Sequence, residues 1–351
     1  MRTIDRIVIT CCQRDFWLTR ICVASIRYWY PDIPIGLLKD VSLGNFSTRE
    51  LQEHWNVSLV AAPDPPRGIF TKLEAFYLPG HQRILLLDSD IIFLGPVLEK
   101  LEACDEDFVV NWGLTKPLSQ EEKVRYARDG YYLIPEIHRA FPDLKVPDYF
   151  FNGGQLVLTS SLLSREAVEA NLEGSPPRQT LRHASVFRCR DQSLLNVLLP
   201  QMEQKGQCTL RTCNFVLWSR HPEKVGALER ERLADRQGYP FLLHWAEAKS
   251  FHKTGFARGD LLGFYEDYYY ARIPAGDWKR SYRLIRRAKA SLTPRIRSAL
   301  ALTNHEIDLR KLIHLEKNPT KEANPFAHLR ALERRETDKV STSPLGKFPA
   351  P

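Results

Sequence analysis

Two aspartates, Asp88 and Asp90, interrupt an otherwise aliphatic run, "RILLLDSDIIFLG". In an extended segment the side chains of residues two apart project to the same side, so both carboxylates can converge on one point. Two such carboxylates repel each other unless a cation lies between them. Hard oxygen ligands suit Mg²⁺ or Mn²⁺, ions that commonly also take oxygens from a diphosphate. Read alone, Asp88-Ser89-Asp90 is equally a turn with a side-chain cap.

The surrounding elements favour the first reading. Over the first hundred residues strand-like and helix-like patterns alternate. "RIVIT", "IPIGLL", "NVSLVAA" and "RILLL" read as strands; "DFWLTRICVASIRYW", "STRELQEHW" and "IFTKLEAFYL" read as helices, the first capped by Asp15. Later strands are expected in "DFVVNW", "GQLVLT" and "FLLHWA". This alternation predicts an α/β fold with a mostly parallel, Rossmann-like sheet covered on both faces. In such sheets ligands bind beyond the carboxyl ends of the strands, which is where Asp88 and Asp90 fall. By the same rule Thr10 and Arg14, at the end of the first strand, and Asp40, at the end of the second, are candidates for ligand contacts.

Four segments, in order, resemble the glycogenin-like glycosyltransferases. They are "TKLEAFYLPGHQRILLLDSDIIFLGPV", "PDYFFNGGQLVL", "RDQSLLNVLL" and "LLHWAEAK", and the resemblance runs from residue 4 to residue 255. It implies a GT-A nucleotide-diphospho-sugar transferase fold, a UDP-sugar donor, Mn²⁺ (or Mg²⁺) and hexosyl transfer with retention of configuration. The acceptor would be a glycan, a lipid-linked sugar or a protein, as in polysaccharide or glycolipid biosynthesis. Asp88 and Asp90 would bind the ion, with Ser89 between them at the donor, and His244 would complete the metal shell. Taken alone, His244 is also a satisfied buried histidine. Lys72 would reach the donor's phosphate or sugar hydroxyls; its other reading is a solvated surface lysine. Asn152, Gly153 and Gly154 suggest a close approach of backbone to ligand, or a turn leading into a strand. Asp191 and Gln192 would act at the reacting sugar, although helix capping also accounts for Asp191. One departure stands out. The family's histidine segment continues through a glycine to Lys-Pro-Trp, whereas "HWAEAKSFHKTGF" has no glycine at that point and no Pro-Trp, leaving Lys249 or Lys253 to hold the diphosphate at altered spacing.

Rival chemistries fit less well. Phosphatases and mutases of the haloacid dehalogenase type also end a strand in Asp-x-Asp, but early in the chain and followed by threonine, not by Ile91-Ile92. A sugar-nucleotide-binding protein without turnover keeps the same motifs. The net charge of +8 calls for an anionic partner. The excess is concentrated late in the chain, and no nucleic-acid module is recognisable, so nucleic acid is not the expected partner. Seven scattered cysteines without paired CxxC spacing read as reduced thiols of a cytoplasmic protein, and no apolar run has the length of a membrane span.

Three regions are expected. Residues 1–272 form the catalytic domain, 273–315 a basic helical extension and 316–351 a largely disordered tail. Between residues 277 and 300 stand eight lysines or arginines and a single acid, Asp277. Trp278, Tyr282, Ile285, Ala288 and Leu292 recur there at helical spacing, and a second helix is expected after Pro294. Such a helix can lie peripherally on an anionic membrane, here the inner face, or pack its stripe on the catalytic domain.

Overall fold

The computed structural model describes residues 1–61, 67–114, 116–246 and 255–291, without the side chains of 286–291. Lys249, Lys253, the second helix after Pro294 and the tail 316–351 lie outside the described residues. The chain divides into two units, Met1–Lys249 with Ala257–Gly276, and Ser250–Phe256 with Asp277–Pro351.

The first unit contains strands β1 (Arg6–Cys12), β2 (Ile35–Asp40), β3 (Val57–Val60), β4 (Arg83–Asp88), β5 (Ile91–Phe93), β6 (Phe108–Asn111), β7 (Gln155–Thr159), β8 (Leu172–Glu173), β9 (Thr180–Leu181), β10 (Leu210–Cys213), β11 (Val216–Trp218) and β12 (Leu242–His244). Seven of them form one sheet in the order β10-β6-β7-β4-β1-β2-β3. All neighbours are parallel except β7, which runs antiparallel to both β4 and β6. This is the expected α/β class with a mostly parallel sheet.

Burial explains why these strands read as unbroken apolar runs. In β4 every residue from Arg83 to Leu87 is buried, because both faces of the sheet are covered. On one face Val8, Leu38, Ile84, Leu86, Leu156 and Leu158 share a core with Phe70, Leu73 and Phe76, and with Leu194, Leu195 and Leu198 of the helix Arg190–Gln204. Each large apolar side chain so buried contributes roughly 1.5–3 kcal/mol. The helix Phe16–Trp29 is buried over most of its length and contacts both β5 and the helix Gly259–Tyr270.

Three local expectations differ from what forms. Asp15 does occupy the N-cap position of the first helix but makes no side-chain cap; its carboxylate is taken by Cys12 Sγ at 3.8 Å and Arg14 Nε at 3.5 Å. "IFTKLEAFYL" forms a 3₁₀-type helix, Gly68–Tyr77, rather than an α-helix. The strand in "FLLHWA" does not join the main sheet. It lies in a three-stranded sheet, β11-β12-β5, parallel to β11 and antiparallel to β5.

In the second unit the helix Gly276–Ser291 forms over the expected basic stretch. Its Trp278 and Tyr282 rings stack at 5.3 Å with planes 9° apart, and both are exposed. All seven cysteines of the chain are free thiols. Among the described residues no helix is long and apolar enough to cross a membrane.

Candidate functional site

The site grows from the end of β4. Asp88 closes that strand, beside Thr10 of β1 in the parallel register, and Ser89-Asp90 turn the chain into β5. Because β5 pairs antiparallel with β12, Ile91 faces His244. That register delivers the imidazole to Asp90: His244 Nε2 lies 3.2 Å from Asp90 Oδ1, and the Trp245 amide donates to the Asp90 carbonyl at 3.1 Å. Ligand atoms of Asp88, Asp90 and His244 all fall within 4.8 Å of one another.

The donor set fits a divalent ion on two counts. Two carboxylates and an imidazole suit Mn²⁺ or a similar ion. His244 is also held in place, only 2% exposed and with its Nε2 turned to Asp90, while among the described residues its Nδ1 has no hydrogen-bond partner.

Lys72 ties this cluster to a third carboxylate. The 3₁₀ helix carries it under the sheet edge, where Nζ lies 2.9 Å from Asp88 Oδ1 and 2.9 Å from Asp191 Oδ2, with the Gly153 carbonyl at 3.5 Å. Burial would pull the ammonium's pKa down. Asp191 and then Asp88 outweigh it and hold the pKa above the ordinary lysine value. The solvated-lysine reading is thereby overturned. Asp191 is not a cap either: Cys189 takes the N-cap position of its helix, and the Asp191 side chain is buried against Lys72.

The "FNGG" loop is built around the same carboxylates. The Asp88 amide donates to the Gly154 carbonyl at 2.6 Å. A Cβ on Gly154 would stand 2.3 Å from Asp88 Oδ2 and 2.7 Å from Asn152 Oδ1, so only glycine leaves the carboxylate where it is. Asn152 Oδ1 is engaged by the Gly154 amide at 2.7 Å. Gln192 spans two backbones, accepting from Gly153 N at 3.4 Å and donating to the Gly130 carbonyl at 3.3 Å. Asn196 accepts from the Phe151 amide at 3.0 Å and donates to the Phe151 carbonyl at 2.7 Å. The "DQ" and "FNGG" motifs are thus locked together by side chain-to-backbone bonds.

Along the same edge a cleft of about 370 Å³ opens past the ends of β1 and β2, lined by Cys12, Arg14, Asp40, Arg67, Gln179 and Arg190 among others. Arg14 and Asp40 therefore stand where the edge rule puts them. Asp40 accepts from the Ser42 amide at 2.9 Å, and among the described residues the buried Thr10 Oγ1 has no partner. Sequence reasoning missed Arg67, Gln179 and Arg190. Arg67 bonds Gln179 Oε1 at 3.0 and 3.1 Å and Glu74 Oε1 at 3.2 Å, fixing one wall of the cleft. The adjacency of Arg190 to Asp191 was a signal that could have found it.

No family model matches the chain, and no curated protein matches it. Among solved structures the fold is similar to the galactosyltransferase LgtC in complex with donor and acceptor sugar analogs. That match has 17% identity over 78% of this chain and 99% of that one, at a TM-score of 0.47. The glycosyltransferase GlyE of Streptococcus pneumoniae TIGR4 matches at 14% identity over 76% of this chain and 60% of that one, TM-score 0.44. The bifunctional glycosyltransferase WbbM matches at 14% identity over 80% of this chain and 52% of that one, TM-score 0.46.

Proposed function

We propose that the protein is a metal-dependent, GT-A-type glycosyltransferase that moves a hexosyl group from a UDP-sugar to a glycan, glycolipid or protein acceptor with retention of configuration. The observation that carries this reading is the Asp88–Asp90–His244 cluster at the carboxyl edge of the sheet, joined through Lys72 to Asp191 beside a cleft. Residues 1–272 are the catalytic domain in this reading.

A divalent ion held by Asp88, Asp90 and His244 would stabilise charge on the oxygens of a departing diphosphate. The chain's own groups do the rest. Thr10, Arg14 and Asp40 flank the nucleotide at the ends of β1 and β2. Ser89 holds the two aspartates at the turn, and the Lys72 ammonium adds a fixed positive charge between the leaving group and the sugar. Asp191 faces the sugar end, held by Lys72 rather than free to swing. Gln192 and Asn152 keep the Gly153-Gly154 backbone against the donor. The basic helix Gly276–Ser291 is assigned to an anionic membrane surface, where lipid-linked acceptors reside.

The test is a panel of UDP-sugars incubated with purified protein in Mn²⁺. Release of UDP that EDTA abolishes, with the product anomer matching the donor's by NMR, supports the reading. A panel that yields neither turnover nor UDP binding contradicts it.

A further inference from the structure

The charges of the site leave one requirement unmet. Asp88, Asp90 and Asp191 bring three negative charges and Lys72 one positive charge. A divalent ion brings that set to neutrality, so among the described residues the cations that could meet the roughly three negative charges of a nucleoside diphosphate are those of the cleft. Two of the cleft's arginines are committed. Arg14 lies 3.5 Å from Asp15, and Arg67 is 4% exposed and bonded to Glu74 and Gln179. Arg190 is different. It lines the cleft, is exposed, and among the described residues its side chain makes no hydrogen bond or ion pair.

We propose that Arg190 is the cation that holds the diphosphate of the bound nucleotide, clamping it from the side opposite the sheet edge. Its place in the chain gives the reach this needs. Asp191, the next residue, meets Lys72 and through it Asp88, while Arg190 itself lines the cleft, so this short stretch of chain links the Asp88–Asp90 cluster to the cleft. A guanidinium suits this task, since its planar fork can take two phosphate oxygens at once. The assignment rests on the nucleotide-sugar reading above and adds to it a specific contact. It also separates the work of neighbours: Arg190 binds the nucleotide, whereas Asp191 serves the sugar.

Calorimetric titration of the full chain with UDP, GDP and ADP in Mn²⁺, and with uridine, tests this. In Arg190→Gln, affinity for the diphosphate that wild type prefers should fall by at least about tenfold. Any uridine affinity should stay unchanged, the melting temperature should match wild type, and Arg190→Lys should recover part of the loss. The salt dependence of diphosphate binding should also become shallower. Wild type and Arg190→Gln binding the same diphosphate within twofold of each other overturns the role of Arg190 and leaves the glycosyltransferase reading standing. Wild-type protein that binds none of the three diphosphates overturns both.

Discussion

A lysine buried to the extent of Lys72 stays charged only because carboxylates surround it. Removing the ammonium should leave Asp191, itself buried, without a counter-charge. Lys72→Met is expected to destabilise the protein by about 3 kcal/mol in urea unfolding. Adding Asp191→Asn to that variant should restore part of the loss, since the orphaned charge disappears with it; strictly additive costs would show that the pair does not interact. Gly154 makes a second prediction at this scale. Alanine there presses its Cβ onto Asp88 Oδ2, so Gly154→Ala should weaken Mn²⁺ binding in the presence of UDP by at least about tenfold. The fold should survive, because the side chains that must move, Asp88 (32% exposed) and Asn152, are both partly exposed to solvent. Unchanged Mn²⁺ affinity in this variant would mean that the position of Asp88 does not matter for the ion.

Among the elements, β6 and β10 are stitched at their start by Asp107. Its carboxylate accepts from Thr209 N at 3.0 Å, Thr209 Oγ1 at 2.9 Å and Arg2 Nη1 at 3.2 Å. Partial burial would raise its pKa, but the Thr209 bonds and Arg2 outweigh this and hold it below the ordinary aspartate value. A folded pKa below the unfolded one stabilises the protein above the unfolded value, and that contribution is lost as pH falls through the folded pKa. Asp107→Asn should therefore be less stable than wild type at pH 7, with the gap closing below about pH 4. A gap independent of pH would assign the effect to shape instead of charge. The helix Gly276–Ser291 offers a separate test through its exposed, stacked Trp278 and Tyr282. If this helix meets a membrane, replacing both rings by serine should reduce co-sedimentation with acidic liposomes at low salt. Equal sedimentation of the two proteins would remove the rings from the interaction.

For the whole molecule, what the sequence shows follows from what burial does to a strand. "RIVIT", "RILLL" and "GQLVLT" were legible as strands because a sheet covered on both faces leaves apolar runs without alternation. The Asp88–Asp90 pair was legible because charge inside such a run is rare, although a turn at Ser89-Asp90, and not strand alternation, brings the two carboxylates together. Topology was less accessible. Nothing in "GQLVLT" marks β7 as antiparallel, and nothing in "FLLHWA" assigns β12 to the smaller sheet, although that register is what brings His244 to Asp90. The partner of Lys72 was hidden for the same reason: Asp88 and Asp191 meet only through the packing of the 3₁₀ helix against the helix Arg190–Gln204. Arg190 opens the helix Arg190–Gln204, and in sequence only its adjacency to Asp191 sets it apart from Arg182 and Arg188. All these contacts converge on the claim that Asp88, Asp90 and His244 hold an ion together with a nucleoside diphosphate. Titration of Mn²⁺ followed by electron paramagnetic resonance, with and without UDP, tests it most directly. Wild type should take up one Mn²⁺ per chain, more tightly with UDP present. Asp90→Asn should lose that uptake while melting at the same or a slightly higher temperature, since carboxylate repulsion is relieved. Mn²⁺ and UDP bound by Asp90→Asn as tightly as by wild type would contradict the account.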